Sequence, residues 1–499
     1  MTDLAVSLDA SAADVAVSTT ETGLSARLRR LQAHRDGLAE KLPYWREKNR
    51  AFHRQDLAYL RFLIPTGLKV LEIGCGDGET LAGLSPSRGV GVELSPAMAE
   101  AGRRRHPHLE IHTLNPEDET ALTAAVDETF DIILLSDAIG FVDDGEALLR
   151  LLRRFAAPHT RLVVSYHATG WEPILRAAEA CGLKMPQGEQ NWLSTDDIMN
   201  LMDLAGWQAI KQEWRQLLPK SLLGLDVAIN RWLAPLPLIR RLCLRNYVVA
   251  RLEPQPAADA APSVTVLVPC RNERGNIEAA VRRLPRFSPD IEILYVEGHS
   301  QDNTYEECLR VRDAYPQHDI KVMRQPGKGK GDAVRAGFAV ARGDILMILD
   351  ADLTVPPESL PKFYEAMRSG KGEFVNGTRL VYPMEDRAMR FLNYLANRGF
   401  ARIFSFLLNT RFTDTLCGTK VLWRSDYQRI IANRAYFGDF DPFGDFDLIF
   451  GAAKLNLKII EVPIRYADRT YGETQISRFR HGALLARMVL FAWRKLKAF

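Results

Sequence analysis

Short apolar runs alternate with longer amphipathic stretches along most of this chain, and the alternation predicts α/β layers with largely parallel sheets. In the first half the runs at 69–73, 89–93, 110–113, 131–136 and 161–166 have the length and apolar content of buried strands. In the second half the same reading gives strands at 264–269, 291–297, 320–323, 345–350, 374–378 and 458–462. Helices fit 277–284, 304–315, 331–341 and 358–369. Residues 24–63 read as helical, with Arg and Lys on one face and Leu, Tyr, Trp and Phe on another. Residues 177–214 suggest further helices and a terminal strand, and 217–251 reads as a helical bridge containing Leu and Pro.

A proline- and alanine-rich stretch without periodicity, 253–262, divides the chain into halves. The expected organisation is a disordered tail at 1–23, one α/β domain over 24–252, the linker at 253–262, a second α/β domain over 263–480 and a basic amphipathic helix at 481–499. The tail has no basic start and no continuous apolar core, so it does not read as a signal peptide. The chain has 499 residues, enough for two or three cores. A formal charge of +3 gives no reason to expect a nucleic-acid partner. The six cysteines are scattered without a C-x-x-C, which fits a reducing compartment and argues against structural zinc. No stretch reaches the ~18 apolar residues that a membrane span needs.

Candidate chemistry begins where strands end. Glu72-Ile73-Gly74-Cys75-Gly76-Asp77-Gly78 runs from a strand into a glycine-rich turn. Glycine is used where backbone approaches a ligand or takes positive φ. The dinucleotide spacing G-x-G-x-x-G fails here, because Glu79 follows Gly78. The pattern E-x-G-x-G-x-G resembles motif I of class I S-adenosyl-L-methionine-dependent methyltransferases. That resemblance implies a Rossmann-like domain binding this cofactor through Glu72, Gly74, Gly76 and Gly78. Glu93, about 20 residues on, would accept from ribose hydroxyls. Asn115 would flank the adenine, and Asp137, after the fourth strand, would face the methyl donor. His167 is a candidate base that equally reads as structural.

In the second half, Asp350-Ala351-Asp352 closes a buried apolar run. Two carboxylates one residue apart at a strand end make a hard oxygen site, suited to a divalent cation that also holds a diphosphate. With Val264 to Glu273 and Ile293 to Thr304, the motif resembles family 2 glycosyltransferases of the GT-A fold, in the dolichyl-phosphate mannosyltransferase-like branch. The likeness covers roughly 263–480 and implies a nucleotide-sugar donor. Pro269, Arg271, Glu273 and Glu297 would border base and ribose, and Asp350 and Asp352 would hold Mg²⁺ or Mn²⁺. Where the family often shows D-D-G-S, this chain has Glu297-Gly298-His299-Ser300, which leaves base and sugar open. Lys330 could place positive charge near phosphates. Arg379 and Arg469 match family motifs and suit bidentate phosphate contact. Asp445 and Asp447 read either as an acceptor-side base or as helix caps.

The stretch 387–409 and the basic C-terminus read as interfacial helices on an anionic leaflet, or as helices packed on the domain or a subunit interface. A hydroxyl acceptor needs a base. A lipid phosphate is already ionised and needs arginines instead, which this chain supplies. The expected function is therefore metal-dependent, inverting sugar transfer to a polyprenyl phosphate. It would take place at the cytoplasmic face of the membrane, with a fused methyltransferase. The alternative is transfer to a hydroxyl of a growing surface glycan, with the first half only binding S-adenosyl-L-methionine as a regulatory module. Sugar, nucleotide base, methyl acceptor and oligomeric state are not given by the sequence.

Overall fold

The computed structural model describes residues 24–254, 261–381, 391–436, 446–465, 471 and 478–498, with backbone alone over 391–396 and 478–483. The expected tail at 1–23, the middle of the linker, Asp445 and Arg469 lie outside the described residues.

Two seven-stranded sheets organise the chain. The first holds β1 (Lys69–Ile73), β2 (Arg88–Glu93), β3 (Glu110–Thr113), β4 (Phe130–Ser136), β5 (Ala156–His167), β6 (Trp207–Arg215) and β7 (Arg245–Leu252). Their order is β3-β2-β1-β4-β5-β7-β6. β1 to β5 pair in parallel, while β7 runs antiparallel between β5 and β6. The second sheet holds β8 (Val264–Cys270), β9 (Ile291–Glu297), β10 (Asp319–Arg324), β11 (Ile345–Ile348), β12 (Phe374–Thr378), β13 (Lys420–Trp423) and β14 (Ile459–Pro463). Its order is β10-β9-β8-β11-β13-β12-β14, with β13 antiparallel to both neighbours. Ile132 to Leu135 and Ile345 to Ile348 are buried throughout, as strands covered on both faces must be. The α/β class holds in both halves, each with a seven-stranded sheet that is mostly parallel.

Two readings change. Residues 245–252 are not part of a helical bridge but a strand, buried over Arg245 to Arg251. Val248, Val249 and Tyr247 favour that pleated, fully packed setting, which outweighs the helical bias of the Leu-rich residues before them. β13 was hidden by its length: four residues slotted between β11 and β12 carry no periodicity of their own. The N-terminal stretch is helical as expected, in pieces at Ala26–Asp36, Leu42–Lys48 and Arg50–Leu63.

The helices Phe391–Leu408 and Arg478–Leu496 turn most of their described apolar residues into the protein, while Ile403 and Leu490 stay exposed. Phe404, Leu407 and Leu408 of one and Leu485, Met488 and Ala492 of the other are buried. Those faces are thus not available to a lipid surface. Lys497, expected among surface cations, is buried and donates to Glu213 at 2.7 Å and Asn409 at 3.0 Å. The two halves meet over this polar seam. Nη2 of Arg161 reaches both carboxylate oxygens of Glu373 at 2.8 Å, and Lys211 donates to Asn456 at 3.0 Å. No helix among the described residues is long and apolar enough to cross a membrane.

Candidate active sites

The first cavity, of about 160 Å³, opens at the carboxyl ends of β1 and β4. Gly74, Gly76 and Gly78 take φ of +70°, +58° and +73°, the left-handed region that a side chain disfavours. A Cβ on Gly76 would meet nothing within 4 Å, so this residue shows bare backbone to open space. Glu72, Gly74, Gly76 and Asp137 line the cavity. Glu72 is 1 % exposed, and its Oε2 has no hydrogen-bond partner among the described residues. Burial pushes this carboxyl well above its ordinary range, against the pull of Arg46. A buried carboxyl with one unpartnered oxygen beside a glycine turn has the chemistry to meet a cationic ligand group.

Asp137 shows the opposite balance. Burial works to raise it, but Arg245 and His167 hold it well below the usual carboxylate range. His167 Nδ1 stands 3.3 Å from Asp137, and its ring stacks on Phe52 with centroids 5.9 Å apart. Two sequence expectations are placed differently. Glu93 does not line the cavity: it is fully buried under the glycine turn, accepting from Gly76 N at 2.8 Å and Ser95 N at 2.9 Å. The Gly76 amide of the neighbouring strand's turn and the Ser95 amide two residues on capture this carboxylate. Asn115 does not line the cavity either; its Oδ1 accepts from Glu117 N at 3.2 Å and shapes its own loop.

The second cavity, of about 340 Å³, is lined by Pro269, Arg271, Glu273, Lys330, Asp350 and Asp352, among others. The end of β8, the loops after β8 and β11, and the start of the helix after β10 therefore bring six expected residues to one place. Lys330, opening the helix Lys330–Val340, stands 2.7 Å from Asp350 Oδ1. Burial raises the Asp350 carboxyl, but Lys330, with Lys420 and Arg379 farther off, holds it below its usual value, so it is ionised at neutral pH. Asp352 Oδ1 accepts from Thr354 N at 3.1 Å and Thr354 Oγ1 at 2.8 Å, which fixes its rotamer. Gly418 closes the floor: a Cβ there would stand 1.8 Å from Asp350 Oδ2.

Glu297 is buried and accepts from Ser300 N at 2.5 Å; its neighbours Val296 and Gly298, not Glu297 itself, line the cavity. Arg379 is also away from the lining, held by buried Asp414 at 2.6 and 2.9 Å. A buried carboxylate facing a guanidinium fork takes both its donors. Asp447 sits 3.3 Å from Arg335 and 3.1 Å from Arg434, and it too lies outside this cavity. Among the described residues no three His, Cys, Asp or Glu side chains converge on one point, and Asp350 and Asp352 are the two aspartates that line this cavity.

Residues 44–212 match a methyltransferase domain, and residues 265–431 match glycosyl transferase family 2. The chain thus carries one stretch that matches a methyltransferase domain and a second that matches a family 2 glycosyltransferase. The glycosyltransferase half is similar to a dolichol-phosphate mannosyltransferase of Pyrococcus furiosus, 29 % identical over 218 residues. That match takes 43 % of this chain, which thus spans 59 % of the length of the curated relative. Among solved structures, a methyltransferase of Thermotoga maritima, described as a possible histamine N-methyltransferase, is 19 % identical with a TM-score of 0.35. The match covers 45 % of this chain and 100 % of that one. A glucosyl-3-phosphoglycerate synthase of Mycobacterium tuberculosis is 18 % identical with a TM-score of 0.35, covering 48 % of this chain and 82 % of that one.

The methyltransferase cavity also holds residues that no local motif announced. His53 and Asp56 come from the helix Arg50–Leu63, and Arg46 from the helix before it. Arg245, at the start of β7, joins Asp56 to Asp137 from beneath. Their one sequence signal was density: charged residues crowd the stretch 44–63.

Proposed function

We propose that this protein is a metal-dependent, inverting glycosyltransferase that moves a sugar from a nucleotide sugar to a polyprenyl phosphate at a membrane surface. We propose also that its first domain is an S-adenosyl-L-methionine-dependent methyltransferase. The observation that carries the first reading is the cavity where Asp350, Asp352 and Lys330 meet the ends of β8 and β11. Two carboxylates fit a Mg²⁺ or Mn²⁺ ion, and Lys330 already supplies a cation at Asp350. When bound, the metal would neutralise charge on the departing nucleotide. Lys330 would turn from Asp350 to the donor phosphates, and Arg271 and Glu273 would border the nucleoside. The similarity to a dolichol-phosphate mannosyltransferase supports a lipid-phosphate acceptor. So does the ion pairing of Asp447, which is held by two arginines away from the cavity where a hydroxyl would need its base. The test is to incubate the protein with a panel of nucleotide sugars, Mn²⁺ and short polyprenyl phosphates, then weigh the products. A glycosyl phospholipid that disappears with a chelator is expected. Transfer to a sugar hydroxyl with no lipid phosphate present would overturn the acceptor.

In the first domain the glycine turn and Glu72 fit the cofactor. The unpartnered Oε2 of Glu72 would take the cofactor's ammonium group, and bare Gly76 would lie against it. The bound cofactor supplies an electrophilic methyl group. Glu72→Gln is expected to weaken cofactor binding about 10- to 100-fold, the worth of one hydrogen bond to a charged group. Titration calorimetry reads this directly. Unchanged affinity would remove Glu72 from the site. A methyl-transfer assay on the same samples separates turnover from regulatory binding alone.

A further inference from the structure

Between β6 and β7 the chain makes an excursion over 216–244, at the end of the first sheet where the methyltransferase cavity opens. The excursion is firmly mounted. Asn230 donates to Gln55 at 2.6 Å, on the helix that also carries His53 and Asp56. Arg231 donates to the carbonyl of Ala498 at 2.9 Å, and Trp232 stacks on Trp493 with centroids 6.5 Å apart. Its outer side is apolar and uncovered: Leu222, Leu223, Leu225, Trp232, Leu238 and Leu242 all stand in solvent, Leu238 at 86 % exposure. This many large apolar side chains exposed on one excursion mark a docking surface.

The charge pattern chooses the occupant. Lys220, Arg231 and Arg241 are exposed beside the leucines, while Asp226, the one acid of 217–244, is buried at 1 %. The neighbouring helix Arg478–Leu496 contains no acid and exposes Arg487, Leu490 and Arg494. Leucines and a tryptophan flanked by cations with no exposed carboxylate fit an anionic lipid monolayer, where the apolar side chains sink past the headgroups and the cations meet phosphate. We infer that residues 217–244 seat this protein on anionic lipid, so that the methyltransferase cavity opens at the bilayer surface and takes a methyl acceptor carried by lipid. The inference deepens the reading of the first domain as a methyltransferase. It assigns lipid contact to a segment other than the two helices whose apolar faces the fold buries.

The experiment compares the full chain with a Leu223→Glu, Leu238→Glu variant in sedimentation with vesicles of phosphatidylglycerol and phosphatidylcholine. Both leucines are exposed, so the thermal midpoint is expected to stay unchanged. The bound fraction of the variant is expected to fall about 10-fold or more, given the transfer cost of two leucines. Pure phosphatidylcholine is expected to bind the parent weakly. In the parent, brominated lipid is expected to quench tryptophan emission, and Trp232→Phe to remove most of the quenching. Calorimetric affinity for S-adenosyl-L-methionine is expected to be the same in parent and variant, which keeps failure of the docking surface distinct from failure of the cofactor site. Equal vesicle binding by the variant would overturn the inference. So would a parent that ignores anionic vesicles, or a parent dimer that the substitutions split, which would give the patch to a second copy of the chain.

Discussion

Asp350→Ala is expected to lower sugar transfer by about 10²- to 10³-fold, and Gly418→Ala to approach that loss with both carboxylates still in place. The first substitution removes a charge-holding oxygen from the site where negative charge develops on the leaving nucleotide. The second acts by position. A Cβ at Gly418 would stand 1.8 Å from Asp350 Oδ2 and 2.5 Å from Lys330 Nζ, so the carboxylate and its ammonium partner must both shift. A displacement of about 1 Å at a reacting centre is enough to cost roughly 10²-fold. Gly399→Ala is the control, since a Cβ there meets nothing within 4 Å. Turnover at saturating donor, with product weighed at fixed times, reads the effect. If Asp350→Ala and Gly418→Ala both turn over at the parent rate, the Asp350 carboxylate has no part in the reaction.

Strands were legible because burial on both faces writes them as apolar runs, and β1, β3, β9 and β12 fall on the expected residues. β7 was not, because its neighbours 217–244 share its Leu and Arg content, and only pairing with β5 and β6 extends it. The cavity residues divide in a similar way. Those on the loop that a strand feeds, such as Asp350, Asp352, Gly74 and Gly76, follow from the strand. Those that reach in from elsewhere do not, since Arg46, Asp56 and Arg245 are brought together by packing alone. Glu93 and Arg379 show the remaining difficulty. Each has the right charge near the right strand end, yet each is taken by a nearer partner, the Gly76 and Ser95 amides in one case and Asp414 in the other. Sequence reveals what a side chain can bind, but which partner it binds is decided by competition in three dimensions.

Arg245→Met is expected to destabilise the first domain by about 3–5 kcal/mol, the cost of leaving buried charge without its partner. Arg245 is fully buried and donates to Asp56 at 2.9 and 3.3 Å, to Ser165 at 2.9 Å and to Asp137, while Tyr247 donates to Asp56 from the same strand. Methionine fills much of the volume but leaves two carboxylates facing each other. The change also reverses a pH dependence. In the parent, Arg245 and His167 depress Asp137 below its unfolded value. Its contribution is present above the ordinary carboxylate value of about 3.9 and fades as pH falls through the lower folded value. Without Arg245, burial and the Asp56 charge raise the Asp137 carboxyl instead. Its contribution is then present below about 3.9 and is lost as pH climbs through the raised value. Between about pH 4 and 7 the variant should therefore lose stability with rising pH, relative to the parent. Hydrogen exchange of the β4 and β5 amides follows this domain apart from its neighbour. Adding Asp137→Asn to Arg245→Met should return part of the loss and flatten the slope, because one of the two facing charges is gone. A variant as stable as the parent across that range would mean that the Arg245 network is not what holds the floor of the methyltransferase cavity together.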